Sequence, residues 1–176
     1  MPVTTERDFE AAIEDWLLDH AGYEKADNSQ FDAALALDTK TLLAFIKQTQ
    51  PDTWDKLSAS YGGSVEKSVV KRIAAECDSR GLLDVVRNGV RDRGQTIHLA
   101  YFKPATGLNP ETENHYQQNC LTVMRQVYYD LDSKNSIDML LSLNGLPIAT
   151  VELKNAFTGQ RSINAIRQYL KDRVPS

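Results

Sequence analysis

The sequence predicts a layered α+β fold, helices first and consecutive strands after them. Three observations carry this reading. Helical apolar spacing fills residues 1–81, extended β-branched and aromatic runs dominate residues 82–176, and Asn144-Gly145 separates two of those runs as a hairpin signal. At 176 residues the chain is long enough to bury a core and fits one domain, with a helical part over 1–81 and a strand-rich core over 82–176. The hydrophobic fraction of 41% and charged fraction of 25% are those of an ordinary globular protein.

The first helix is expected over 5–20. Thr5 can cap it, acidic residues crowd its first turn, and Gly22 can end it. Phe9, Ile13, Trp16 and Leu17 fall at helical spacing and form its predicted apolar face; Glu10 and Glu14, four apart, share the neighbouring one. A second helix begins after Asp38 and runs to Gln48, where Pro51 stops or redirects the chain. Tyr61-Gly62-Gly63 is a break, and Ser64 can cap a third helix that buries Val65, Val69, Ile73 and Cys77 and ends at Gly81. The segment 82–86 is ambiguous between helix and strand.

Beyond Arg93-Gly94 the expected elements are a strand over 96–102, a polar helix over 111–118, and a strand over 122–129. Strands over 137–143 and 148–154 follow, then a closing helix over 162–173 with Ile163, Ile166 and Leu170 inward.

No window approaches the apolar length of a membrane span, and the polar, acidic start argues against a secretory signal, so a cytoplasmic protein without membrane contact is expected. Cys77 and Cys120 lack metal-ligand spacing and read as reduced core thiols. The net charge of −4 disfavours a generic nucleic-acid binder, but the charge is uneven: residues 1–60 carry 5 basic and 12 acidic side chains, 61–103 carry 8 and 5, 104–150 carry 2 and 5, and 151–176 carry 5 and 2. A basic face beside an acidic centre suits a metal nuclease, since carboxylates gather the cation while Lys and Arg hold phosphates; a solvated helix surface is the other reading.

Chemistry concentrates in Ile137-Asp138-Met139 and in Val151-Glu152-Leu153-Lys154. Charges inside apolar strands are costly unless paired or bound to metal. Glu152 and Lys154, two apart, share a face. A plain two-residue hairpin would pair Asp138 with Val151 and turn it to the wrong face. An odd-length loop or one bulge shifts the register by one and brings Asp138 to Glu152 and Lys154. Asp138 and Glu152 could then hold one or two divalent cations through oxygen, with the Leu153 backbone carbonyl as a further ligand and Lys154 positioning water and offsetting developing charge. An ordinary buried acid–lysine pair is the alternative for the same spacing.

The run Val151-Glu152-Leu153-Lys154-Asn155 after an Ile-Asp strand resembles the N-terminal nuclease domain of the R (motor) subunit of type I restriction endonucleases, within the PD-(D/E)xK superfamily. So do the Glu-bearing first helix ending in Gly22-Tyr23, the run Arg87-Asn88-Gly89-Val90, and the segment from Asn119 through Leu121-Thr122-Val123-Met124-Arg125-Gln126. The resemblance implies a restriction-endonuclease-like fold, a mixed central sheet flanked by helices. It implies Asp138 and Glu152 as magnesium ligands, Lys154 as the catalytic lysine, Gln168 as a helical contact to DNA or that lysine, and Glu10 as a first-helix acidic residue, with Glu14 the fallback. Position 172 is Asp where the family pattern has Tyr, and position 137 is Ile where it has Pro.

The function implied is type I site-specific deoxyribonuclease activity on double-stranded DNA, coupled to an ATP-driven translocase and to modification and specificity subunits. A standalone or helicase-fused nuclease of the same superfamily, with a repair or defence role, is a close variant. Asp172 and the acidic first third favour instead a degenerate nuclease fold kept as a DNA-binding or docking module. On the leading reading the chain is a piece of a longer protein, its end at Val174-Pro175-Ser176 resembling an internal cut, and the isolated piece can be inactive. The chain itself is not expected to bind ATP, because Glu66 stands where a phosphate loop needs glycine before Lys67.

Arg161, Arg167, Lys171 and Arg173 are the expected phosphate contacts, with Arg87, Arg91 and Arg93 a weaker cluster. Tyr128-Tyr129 could stack on bases or fill the core. His20, His98 and His115 lack metal-ligand spacing and read as structural or surface residues.

Overall fold

The computed structural model describes residues 5–130 and 135–153. Helix α1 (Glu6–His20) opens on the expected cap. Thr5 Oγ1 accepts from Asp8 N, and the Asp8 carboxylate accepts from Thr5 N at 2.9 Å, a reciprocal pair that satisfies two of the donors at the helix start. The Thr5 amide and hydroxyl beside Asp8 hold its carboxyl below the usual range. Strand β1 (Tyr23–Lys25) follows, then a single 3-10 turn (Asn28–Gln30) and the short strands β2 (Phe31–Asp32) and β3 (Leu37–Asp38).

Asp38 caps helix α2 (Thr39–Thr49) through Thr41 N at 3.1 Å. The second helix ends at Thr49, and Pro51 redirects the chain as one of the two expected outcomes. It sits in the first turn of α3 (Pro51–Tyr61), where its missing N–H costs nothing, so the proline starts a helix the sequence reading did not include. Gly62–Ser64 form a 3-10 turn into α4 (Val65–Arg80). Ser64 makes no cap; its hydroxyl donates instead to Tyr61 O at 3.0 Å. The ambiguous segment is helix α5 (Leu82–Asn88).

Strands β4 (Val90–Asp92) and β5 (Gln95–Ile97) form a two-stranded hairpin around Arg93-Gly94, so the strand expected over 96–102 is confined to its beginning. Gln50 explains where the regular pairing ends: its side-chain amide binds both the N–H and the C=O of His98 at 2.8 Å, supplanting a strand partner. Leu42, Ile46, Leu57, Val69, Ile73, Val85, Ile97 and Leu99 bury the core of this helical layer.

After α6 (Pro110–Gln117) the chain enters the main sheet, order β1-β6-β7-β8, made with β6 (Leu121–Tyr128), β7 (Ser136–Leu143) and β8 (Leu146–Val151). β1 runs parallel to β6 and the other pairs are antiparallel, giving the mixed sheet with flanking helices that the resemblance implied. Ile13, Leu17 and Leu18 of α1 pack with Val123, Met139 and Leu153; Met124, Val127, Ile137 and Leu140 gather with Phe31 and Tyr129 in a separate cluster. The expected helix over 162–173 lies outside the described residues. Among the described residues no helix is long and apolar enough to cross a membrane.

The sheet joins the helical layer at the tip of the β7–β8 hairpin. Asn144 and Gly145, at φ +53° and +83°, form a two-residue turn of the handedness that suits twisted strands. Asn144 is fully buried. Its Oδ1 accepts from Cys120 N at 2.7 Å, and its Nδ2 donates to Leu99 O at 2.9 Å and Asn119 Oδ1 at 3.0 Å. Asp38 N donates to Gly145 O at 2.9 Å, and Leu146 enters the helical core.

Candidate active site

The hairpin register decides where Asp138 lies. Leu143 faces Leu146 and Ser142 faces Pro147, but Leu141 faces Ala149, so a bulge inserts one residue between the two stretches. The pairing then runs through Leu140–Thr150 to Met139–Val151. The ladder ends there, one residue short of Asp138 on β7 and of Glu152, which follows β8. The turn is thus two residues long and a bulge makes the shift. Leu153 N donates to Asp138 Oδ2 at 2.7 Å, tying the segment just past β8 to that carboxylate.

On the other side of Asp138 lies Gln126 of β6, opposite it by the pairs Arg125–Met139 and Val127–Ile137. Gln126 adopts φ +52°. Met124 and Val127, like Ile137 and Leu140, join one apolar cluster although each pair is three residues apart, a spacing that a regular strand points to opposite faces. Alternation therefore breaks at the Gln126–Asp138 level. The break lets consecutive side chains, Arg125 and Gln126, both reach Glu10 of α1.

Helix α1 departs from its predicted orientation. Phe9 is 49% and Trp16 58% exposed, whereas Glu10 and Glu14 are each only 4% exposed. Only Ile13 and Leu17 of the expected face turn inward. The reason is the cation below the helix. Arg125 Nε lies 3.1 Å from Glu10 Oε2, its Nη1 lies 3.5 Å from Glu14 Oε2, and its Nη2 donates to Arg7 O at 3.2 Å. Lys25 Nζ adds 2.9 Å to Glu14 Oε2. Gln126 Nε2 donates to Glu10 Oε1 at 2.8 Å and lies 3.5 Å from Asp138 Oδ1, so one amide spans the two carboxylates. Ser136 Oγ donates to Gln126 Oε1 at 3.2 Å and fixes that amide's orientation.

The described residues thus bring Asp138 to the backbone amide of Leu153, next in the chain after Glu152, with Glu10 one amide away from Asp138. Asp138 and Glu152 are partly exposed and Leu153 is buried. Lys154, Arg161, Arg167, Gln168, Lys171 and Arg173 lie outside them. Among the described residues no three His, Cys, Asp or Glu side chains cluster as a metal-holding group. Two carboxylates and a peptide carbonyl still fit magnesium, which prefers hard oxygen donors and keeps several waters. Both Glu10 oxygens are engaged, one by Arg125 and one by Gln126, so Glu10 could enter a metal's coordination only by giving up such a partner. Sequence reasoning assigned no role to Arg125, Gln126 or Lys25. The usable signal was the one applied to Asp138, a charged side chain inside an apolar strand, which Arg125 also satisfies.

The remaining candidates sit elsewhere. His20 stacks on Trp16 with ring centres 5.6 Å apart, and His115 on Tyr101 at 4.6 Å. Arg93 lies over the Tyr61 ring at 4.5 Å, on the helical layer with exposed Arg87 and Arg91. Tyr128 is exposed, while Tyr129 packs against the core. Cys77 and Cys120 are free and half-buried rather than fully buried. Burial, with Glu24 beside it, pushes the Cys120 thiol up to about 11. Only the thiolate reacts, so at pH 8 about one Cys120 in a thousand is reactive. Iodoacetamide should alkylate Cys120 in the folded chain about a hundredfold more slowly than an ordinary thiol, a rate readable by mass spectrometry.

No curated protein and no solved structure is detectably similar to the chain. A family model does match, over residues 4–176, and it describes the N terminus of the type I restriction enzyme R protein (HSDR_N). The match spans the buried glutamates of α1, the strand carrying Arg125 and Gln126, and the bulged hairpin that leads to Asp138 and Glu152. The chain belongs to the type I restriction enzyme R protein N-terminus family.

Proposed function

We propose that the chain is the magnesium-dependent nuclease of a type I restriction enzyme R subunit and cuts double-stranded DNA. The family supports the setting. The observation that carries the chemistry is the bulge, whose register brings Met139 opposite Val151, together with the bond from Leu153 N to Asp138 just beyond; in this reading the next step sets Asp138 against Glu152. In this reading Asp138, Glu152 and the Leu153 carbonyl would hold the ion, and Leu153 N orients the Asp138 carboxylate through Oδ2. Magnesium supplies Lewis acidity toward the scissile phosphate and makes water easier to deprotonate. Lys154 orients the attacking water and offsets negative charge as it develops. Gln168 contacts that lysine or the DNA, and Arg161, Arg167, Lys171 and Arg173 hold phosphates. Cleavage is coupled to an ATP-driven translocase and to modification and specificity subunits beyond this chain.

The test uses the assembled restriction complex. Asp138→Asn and Lys154→Ala should each slow magnesium-dependent plasmid cleavage by about a hundredfold or more. ATP hydrolysis should persist and report intact assembly. Cleavage surviving both substitutions removes the catalytic assignment and leaves a docking or DNA-binding module.

A further inference from the structure

A cleft of about 590 Å³ opens between α1, β1 and β6, lined by Arg7, Glu14, Lys25, Asn28, Arg125 and Gln126 among others. Gln126 belongs both to its wall and to the carboxylate group, through its approach to Asp138. We propose that this cleft seats the phosphodiester backbone of DNA next to the cutting site, with Arg7 and Lys25 as its phosphate contacts.

The three cations of the cleft are not equivalent. Arg125 is spent on Glu10 and Glu14 and shapes the floor. Lys25 touches Glu14 with its ammonium, but its side chain is 63% exposed, so it can also face a ligand. Arg7 is exposed, and its guanidinium forms no ion pair among the described residues; only its backbone carbonyl is used, by Arg125. Asn28 fastens the opposite wall by donating to the carbonyls of Arg125 and Gln126 at 3.0 and 3.1 Å. Asp27 also lines the cleft, but its carboxylate is turned onto Ser29 N at 2.9 Å. A groove lined by two exposed cations, Arg7 from α1 and Lys25 from β1, and without a large apolar lining suits a polyanion gripped by its backbone, without base readout.

Recognition of this kind releases counterions, so its signature is the salt dependence of binding. The measurement is fluorescence anisotropy of the 176-residue chain with a labelled 20-base-pair duplex, in EDTA, across a range of sodium chloride concentrations. Arg7→Gln and Lys25→Gln should each weaken binding about eightfold at 0.1 M salt, equally for unrelated sequences, and each reduce the log–log salt slope by about 0.9. Lys47→Gln, whose ammonium pairs with Glu66 on the helical layer, should change neither quantity. Unchanged slopes in both cleft variants, or no binding by the parent chain, would overturn the proposal. It rests on the nuclease reading only for the identity of its ligand. The metal-free readout stays independent of cleavage, so loss of the catalytic assignment and loss of the cleft are told apart.

Discussion

Arg125→Met should destabilise the chain by about 3 kcal/mol, read as a shift of the urea unfolding midpoint. Methionine keeps most of the side-chain volume but removes the guanidinium that faces two carboxylates. Glu10 and Glu14 have side chains only 5% exposed, and Arg125 itself is 22% exposed, so water can replace little of what is lost. Taking one partner from a buried pair leaves an uncompensated charge and costs about 3–5 kcal/mol; the residual exposure of Arg125 and the surviving Lys25 and Gln126 contacts place the expectation at the lower end. Adding Glu10→Gln and Glu14→Gln to Arg125→Met should recover at least half of the loss, because neutral amides need no counter-charge. If the triple variant were as unstable as Arg125→Met alone, the cost would belong to packing and not to charge.

The same network marks where sequence reasoning stopped. Local chemistry was readable: Thr5 caps the helix it was expected to cap, the second helix begins directly after Asp38, and Asn144-Gly145 forms the expected turn. The need for a register shift was readable too, because side-chain alternation in a strand has period two and Asp138 could not otherwise meet Glu152. What decides the orientation of α1 is not local. Judged by spacing alone, Phe9 and Trp16 belong inside and Glu10 outside, and only a cation 115 residues away reverses that order. Glutamate at an apolar interface is unfavourable until its partner is known. Helix α3 was missed for a different reason: a proline ends a helix from within but begins one at its first turn, and a single Pro51 is compatible with both. The failure over 98–102 follows from Gln50, whose amide occupies the backbone groups of His98 from far along the chain.

Gly145→Ala should be at least as damaging as the loss of Arg125, and through geometry alone. The residue sits at φ +83°, where an L side chain costs about 1–2 kcal/mol. A Cβ there would also press on Asp38 O and stand 2.7 Å from Leu42 N, both backbone atoms that cannot swing aside. Overpacking of this kind adds about 1–3 kcal/mol, for a total near 3 kcal/mol or more. In a chain of this length that corresponds to a midpoint lowered by about 6–12 °C. Gly94→Ala separates the two contributions. Gly94 has φ +77° but nothing within 4 Å of the added carbon, so it should cost only the conformational part, about 1–2 kcal/mol. Equal losses in the two variants would mean that the hairpin tip does not press on the start of α2. A larger loss at Gly145 would mean that it does, and the consequence reaches the candidate site: Asp38 N holds Gly145 O, Asn144 holds Cys120, and the bulged register that runs on to Met139–Val151, beside Asp138, begins only a few residues from that anchored turn.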